Sequence, residues 1–364
     1  MPENGPMREG IDRGRVGGWV VAGALGLVAI VPYVDAVGVV PLMQALVPVL
    51  GAAVLLALLV GLLVAFVLRL ARRPGAGLHR RRIGPVVVAG AAALAMVWPV
   101  APPSLRATGG AAGAAADSDQ ADRRPDRRAD LSVLALNTEY GQADPGVIVR
   151  EVRERGVDVL ILLEVSPQLW QALQAGGLGE LLPHATGSVG ADAGGSIIAA
   201  ATPLTCPPER ADAPRAGCAI RTRPHARGSG SRFDQPIASL SDGTVVRAAH
   251  PWPPRPYPAR WRAEQADLQR WIEQQHRESR GGPLVVAGDF NSGPVHPAFR
   301  ELARGLDRAP RRQLPWPRTW PRETVVPPFV AIDHILARGR TADDEAVIAV
   351  PGTDHAAVWA RLRP

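Results

Sequence analysis

Lysine is missing from this chain altogether; all 41 basic residues are arginine. That is a bias of composition, and no function follows from it. Cysteine is nearly missing too, with only Cys206 and Cys218. No Cys/His cluster has the spacing of a metal cage, which excludes a structural zinc site. No internal repeat is strong enough to name. Charge is missing from three long stretches, 16–34, 36–68 and 83–100. A run of about 20 apolar residues crosses the roughly 30 Å hydrocarbon layer of a membrane. The N-terminal third is therefore expected to hold three transmembrane helices, at about 16–34, 46–68 and 83–100. The middle run is longer than one span needs, and Pro41 and Gln44 are read as marking its entry. A cleaved signal peptide is the rival for the first run, since Arg8, Arg13 and Arg15 precede it. Two further runs and the lack of a small-x-small cleavage site argue against that. No span carries a charged residue that would mark a transport path.

Charge then orients this segment. Arg8, Arg13 and Arg15 stand before the first run, and Arg69, Arg72, Arg73, Arg80, Arg81 and Arg82 fill the second connection. The first connection has only Asp35. Positive residues stay in the cytoplasm. A multi-pass protein of the cell membrane is expected, with its N-terminus and arginine-rich hairpin cytoplasmic and everything past residue 100 extracytoplasmic. The same count removes a tempting misreading. A formal charge of +7 resembles a nucleic-acid footprint. Yet residues 1–100 hold 9 arginines against Glu3, Glu9, Asp12 and Asp35, a balance of +5 that leaves only +2 for the rest.

Residues 101–130 are rich in Pro, Gly, Ala, Asp and Arg without apolar periodicity, and read as a flexible tether of roughly 30 Å r.m.s. reach. The remainder, 131–364, is long enough for one substantial core. Strand-like runs alternate with helical stretches at 144–155 and 258–277, then several strands come without long helices. Two packed β-sheets flanked by helices are expected.

The chemistry stands at the ends of those runs. Leu284-Val-Val-Ala-Gly-Asp289-Phe-Asn291 is the most informative. Residues i and i+2 of a strand share a face, so Asp289 and Asn291 fall side by side at a sheet rim. A carboxylate there can orient or deprotonate water, and a carboxamide can donate to phosphoryl oxygens. Other runs end at Asn137, with Glu139 two further on, at Glu164, at His250, at Asp333-His334 and at Asp354-His355. Each alone has a plain explanation as a turn residue, a helix-start acid or a capped strand end. Six together do not.

In this order, Asn137, Glu164 in Leu-Leu-Glu-Val, the strand from Gly195 to Pro203, His250, Gly-Asp289-Phe-Asn291, Thr319-Trp-Pro321, Ile-Asp333-His-Ile and Thr-Asp354-His355 resemble the endonuclease/exonuclease/phosphatase superfamily over about 131–362. The resemblance implies an α/β fold, a four-layer α/β/β/α sandwich with two mixed sheets, and a hydrolase using Mg²⁺, with Mn²⁺ as a substitute. Carried over, Glu164 and Asp354 become metal ligands and Glu139 a third candidate. Asp289 activates the water, and Asn137 and Asn291 bind phosphate oxygens. His355, held in one tautomer by Asp333, bonds or shares a proton with the phosphoryl group, and His250 contacts another phosphate oxygen or assists the leaving group. His334 is read as packing, and His184, His225, His276 and His296 as surface or core residues. Departures are Leu163 where many relatives have Gln, Glu139 where they have Asn or Asp, and Ala200-Ala-Thr-Pro203 where many have a Ser-Arg turn.

The expected function is a membrane-anchored, extracytoplasmic Mg²⁺-dependent phosphodiesterase, with nucleic acid favoured over phospholipid as substrate. The preference rests on 304–322, where Arg304, Arg308, Arg311, Arg312, Arg318 and Arg322 interleave with Trp316 and Trp320. Guanidinium groups pair with phosphates and indoles stack on bases, although the same residues suit a lipid surface. A phospholipid or small-molecule phosphoesterase, an inactive surface binding module, and a membrane protein with an accessory outer domain are the rivals. The bilayer and the substrate are the expected partners, and no protein partner is inferred. In an oxidising compartment Cys206 and Cys218, flanking a Pro/Gly-rich loop, are expected to form a disulfide.

Overall fold

The computed structural model describes residues 13–71, 83–101, 129–206, 218–222 and 233–364. Most of the expected arginine-rich hairpin, residues 102–128 of the tether, and His225 lie outside them. The chain divides into two units. The first contains the helices Arg13–Ile30, most of Val40–Ala71, and Ile83–Val97. Among the described residues two helices are long and apolar enough to cross a membrane, over Val16–Tyr33 and Val40–Val67. The third expected span falls short. Its 15 helical residues rise about 22 Å, because Pro99 follows and the chain turns into a 3-10 turn at Trp98–Val100. The second helix begins earlier than expected. Pro41 occupies its first turn, where a missing N–H costs nothing. Gln44 lies inside the helix, and its amide donates to the carbonyls of Val31 and Val34 at 3.0 and 2.8 Å.

The second unit takes in Asp35–Leu42 and Val100–Pro364. Its strands are β1 (Leu131–Asn137), β2 (Val159–Leu163), β3 (His184–Val189), β4 (Ser196–Ala200), β5 (Ile220–Thr222), β6 (Ile237–Ser239), β7 (Val245–Ala249), β8 (Leu284–Asp289), β9 (Asp307–Ala309), β10 (Asp333–Arg338), β11 (Thr341–Ala349) and β12 (Ala356–Arg363). They form a seven-stranded sheet, β11-β12-β1-β2-β4-β3-β5, and a five-stranded sheet, β6-β7-β8-β10-β9. Both are mixed: β1 runs parallel to β2 and antiparallel to β12, and β8 parallel to β7 and antiparallel to β10.

Side-chain alternation sorts the core into layers. Val133, Ala135, Val159 and Ile161 of the large sheet meet Val246, Ala248, Val285, Ala287 and Ile335 of the small one. The opposite face of the large sheet, with Leu134, Leu136, Leu160 and Leu162, packs against the helices Pro145–Glu154 and Pro167–Ala175. Val286 and Leu336 of the small sheet pack against Pro258–Glu278 and Pro297–Leu302. The order is helix, sheet, sheet, helix. The first covering helix starts where expected, since Asp144 accepts from the N–H groups of Gly146 and Val147, a cap worth about 1 kcal/mol. Cys206 and Cys218 are joined by a disulfide.

Register brings the polar strand ends together. Asn137 pairs with Leu163, so Glu164 emerges beside it. Asp289 pairs directly with Asp333. β12 lies against β1 and delivers His355 just before its first residue.

Candidate active site

Local backbone geometry aims these side chains. Glu139, Tyr140, Glu164 and Asn291 have φ of 46°, 56°, 57° and 48°, four of the six non-glycine residues with positive φ among those described. Each such residue costs on the order of 1–3 kcal/mol and persists only where its surroundings dictate it. Here the surroundings are mutual hydrogen bonds. Gly288 shows a second device: its φ is +139°, and a Cβ there would lie 2.4 Å from the Ala249 carbonyl. Only glycine lets β8 approach β7 that closely before the chain reaches Asp289.

Asn137 sits at the centre. Its Nδ2 donates to Glu164 Oε1 at 3.0 Å and to Asp289 Oδ2 at 3.3 Å, while its Oδ1 accepts from the Glu139 N–H at 3.0 Å. Tyr140 N–H donates to the other Glu164 oxygen at 3.1 Å. Asp289 Oδ1 accepts from the Asn291 N–H at 2.7 Å. The Asn291 side chain donates to the Pro251 carbonyl at 2.9 Å, and its own carbonyl accepts from Trp261 Nε1 at 2.9 Å.

His355 faces three acids. Its Nδ1 lies 3.1 and 3.0 Å from the two oxygens of buried Asp333, which places a proton on that nitrogen. Its Nε2 lies 3.9 Å from Asp289 Oδ2 and 3.6 Å from Asp354 Oδ1. Burial alone would push the imidazole down, but Asp333 and Asp289 outweigh it and hold the group well above the ordinary histidine range. Asp289 moves up, chiefly through burial, against the pull of His355. Glu164 is also raised by burial, with Asn137 opposing. His250 stacks on Phe233 with ring centroids 4.2 Å apart. Burial, with the positive His355 nearby, pushes it down to about 3, so it is a neutral imidazole. Its Nε2 lies 3.6 Å from Glu164 Oε1, and its Nδ1 is buried without a partner.

Asp289, Asp333 and His355 bring ligand atoms within 4.8 Å of one another. That trio is better suited to hold a proton than a cation, because both Asp333 oxygens already face Nδ1. The chemistry of the whole donor set fits a hard divalent cation: Glu164, Asp289, Asp333 and Asp354 crowd one imidazole, and burial raises two of them. Glu164 and Asp354 are the candidates to hold a cation: among the described residues Asp354 Oδ1 accepts no hydrogen bond, and each Glu164 oxygen, with one donor, has a second lone pair to offer. Glu139 Oε2 accepts from the Asp354 N–H at 2.7 Å and holds that loop, which leaves Oε1 for any cation.

The nine strand-end residues given site roles come together, and the tenth, His334, and other neighbours have different places. His334 is packed between Phe290 and Phe299, as expected. His296 is buried: its Nδ1 accepts from Gly293 N–H, so Nε2 donates to the Pro41 carbonyl at 3.0 Å. The arginine–tryptophan loop divides. Arg304 pairs with Glu301 and Arg311 with Asp307, while Arg312 donates to the carbonyls of Ala342 and Asp343. Trp316 is buried, with Nε1 on the Phe329 carbonyl.

Sequence reasoning missed several supports. Trp320 Nε1 donates to Asp354 Oδ2 at 2.9 Å. Thr353 Oγ1 donates to the Asn137 carbonyl at 2.9 Å and accepts from His355 N–H. Thr319 Oγ1 accepts from the N–H groups of Ile332 and Asp333. The Thr-Trp-Pro triplet was visible, but its bonding to residues far along the chain was not.

Among solved structures, truncated TDP2 of Caenorhabditis elegans is 15% identical over 65% of this chain and 98% of that one, with a TM-score of 0.49. An endonuclease/exonuclease/phosphatase family protein of Bacteroides thetaiotaomicron is 15% identical over 64% and 97%, with a TM-score of 0.42. Sphingomyelinase C of Streptomyces griseocarneus is 16% identical over 64% and 99%, with a TM-score of 0.43. No curated protein matches the chain. The family model for the Endonuclease/Exonuclease/phosphatase family matches residues 134–355, from the middle of β1 to the imidazole that faces Asp333. On that match the chain belongs to the Endonuclease/Exonuclease/phosphatase family and is a metal-dependent phosphoester hydrolase.

Proposed function

We propose that this chain is a membrane-anchored, Mg²⁺-dependent phosphodiesterase whose catalytic unit, 131–364, works on the extracytoplasmic side. The observation that carries the reading is the buried acid–imidazole chain Asp333–His355–Asp289, standing beside Glu164 and Asp354 and bridged to Glu164 by Asn137. Glu164 and Asp354 would hold the Mg²⁺, which supplies positive charge against the anionic phosphate. The residues of the chain do the rest. Asp289 orients a water and draws its proton. His355, kept positive by Asp333, donates toward a phosphoryl oxygen, as do the amides of Asn137 and Asn291, each giving up a bond it makes in the resting protein. Neutral His250 bonds a further phosphate oxygen. The water oxygen forms a bond to phosphorus, the opposite P–O ester bond breaks, and the leaving oxygen takes a proton. A phosphomonoester and an alcohol result.

The test is hydrolysis of bis(p-nitrophenyl) phosphate by the full-length chain, with Mg²⁺ and after chelation. Turnover that survives complete chelation would sink the assignment of Glu164 and Asp354. The extracytoplasmic placement has support in an ion pair between Asp35 and Arg262, at 2.7 Å, since both residues are expected outside. A reporter active only outside the cytoplasm should work fused after Pro364 and fail at Gly75; the reverse pattern overturns the orientation. Nucleic acid was the substrate that 304–322 favoured. With Arg304, Arg308, Arg311, Arg312 and Trp316 committed within the fold, that preference loses four of its six arginines and one of its two tryptophans.

A further inference from the structure

Among the described residues past 100, only five large apolar side chains stand exposed: Tyr140, Tyr257, Leu314, Val325 and Val326. They are not scattered. Tyr140 donates its N–H to Glu164. Tyr257 packs edge-on against Trp252, which touches the Phe233 ring stacked on His250. The other three lie on the loop 310–328, which is fastened to the Asp354 segment three times: through Trp320 Nε1 to Asp354 Oδ2, Arg322 N–H to the Asp354 carbonyl at 2.7 Å, and Glu323 Oε1 from Gly352 N–H at 2.9 Å. Every exposed large hydrophobe among the described residues of the catalytic unit therefore belongs to a segment bordering the candidate site. Leu314 is 72% exposed and Val325 fully so. Water gives no reason to display them there.

The same loop carries two arginines that the fold does not use. The guanidinium groups of Arg318 and Arg322 make no hydrogen bond or ion pair among the described residues, and Arg322 Nε is sealed from solvent without a partner. The two are close enough that Arg318, after burial, holds the Arg322 guanidinium below its usual range. Aliphatic tips beside unpaired arginines suit a phospholipid surface, where the tips enter the acyl boundary and the cations meet headgroup phosphates. Within this loop they suit a polynucleotide less well, because stacking needs free aromatic faces, and Trp316 is buried and Trp320 half-buried. Among the described residues two helices are long and apolar enough to cross a membrane, so a bilayer is an available partner for this chain.

We propose that 310–328 is an interfacial lip: Leu314, Val325 and Val326 dip into an anionic phospholipid bilayer, Arg318 and Arg322 hold headgroup phosphates, and the site takes its phosphodiester from a membrane lipid. This rests on the phosphodiesterase reading above; the bond broken is the same P–O ester bond, now within a lipid headgroup.

The test uses the full-length chain in lipid nanodiscs of phosphatidylcholine, with or without phosphatidylglycerol. Val325→Cys carries an environment-sensitive fluorophore, the native cysteines being bridged, and Gln274→Cys on the exposed side of Pro258–Glu278 is the control. The Val325 label should shift to the blue, be quenched by spin-labelled lipid and resist aqueous iodide, more strongly with phosphatidylglycerol; the control label should do none of these. Arg318→Gln with Arg322→Gln should abolish the gain from phosphatidylglycerol. Val325→Ser with Val326→Ser should lower hydrolysis of disc phospholipid about tenfold or more and leave bis(p-nitrophenyl) phosphate hydrolysis unchanged. A Val325 label as open to iodide as the control overturns the lip. Cleavage of oligonucleotides with no attack on any phospholipid overturns the lipid substrate in favour of nucleic acid. If neither lipid nor the soluble ester is hydrolysed while the label enters lipid, the phosphodiesterase reading fails and the lipid-substrate proposal falls with it.

Discussion

Asp333 and Asp354 both approach His355, yet the two carboxylates live in different worlds. Asp333 is buried in a strand, with both oxygens turned to Nδ1. Asp354 stands on a partly exposed loop, with Trp320 on one oxygen and the other 3.6 Å from Nε2. Asp333 turns both oxygens to Nδ1 and holds the ring's orientation and charge; Asp354 keeps one oxygen without a hydrogen bond among the described residues. The site divides the same way. In the proposed mechanism Asp289, Asp333 and His355 form a half that handles protons, while Glu164 and Asp354, trimmed by Glu139 and Trp320, form a half that handles charge.

Substitutions can break that division. Asp289→Asn and His355→Ala should each lower kcat on a soluble phosphodiester by about 10²-fold or more, and excess Mg²⁺ should restore nothing. Restoration by metal would merge the two halves into one. Glu164→Gln should behave oppositely, with activity about tenfold down at limiting Mg²⁺ and largely recovered by excess Mg²⁺ or Mn²⁺; a metal titration midpoint identical to that of the parent removes Glu164 from the cation half. Asp333→Asn should fall between, at roughly tenfold in kcat, since it keeps a hydrogen-bond acceptor for Nδ1 and loses only charge. The smallest effect is expected from Trp320→Phe, which removes one bond to Asp354. The metal midpoint should rise a few-fold while saturated kcat stays near its parent value, and a fall in kcat alone would move Trp320 out of this half.

Much of this arrangement was legible because its residues sit where strands stop. A buried strand announces itself by an apolar run, and the first polar residue after it is conspicuous; Asn137, Glu164, His250 and Asp289 were found that way. The two aligned aspartates needed only strand pairing to meet. What stayed hidden depends on contacts between distant segments. Glu139 looks like a ligand two residues from Asn137, but Asp354 N–H, 215 positions away, claims one of its oxygens. Arg311 and Arg312 look like phosphate binders, yet Asp307 and the β11 backbone near Ala342 engage them. Arg318 and Arg322 look the same in sequence, and their guanidinium groups are left over. Composition counts charges; only the folded chain says which are spent. The third apolar run was long enough on paper, and one proline shortened its helix.

β12 lies between β11 and β1, so the last strand of the catalytic unit is the neighbour of its first. His355 stands directly before β12. A growing polypeptide, delivered N-terminus first, can assemble Asn137, Glu164 and Asp289 early, but it has no way to seat the imidazole against Asp333 until residues 356–363 have arrived and slotted beside β1. With His355 in its proposed role, the hydrolase stays inert until that segment is in place, and becomes reactive in the step that completes its large sheet. Trimming only those eight residues should leave the metal-binding side chains present and silence the chemistry, a form of timing that needs no inhibitor and no prosegment.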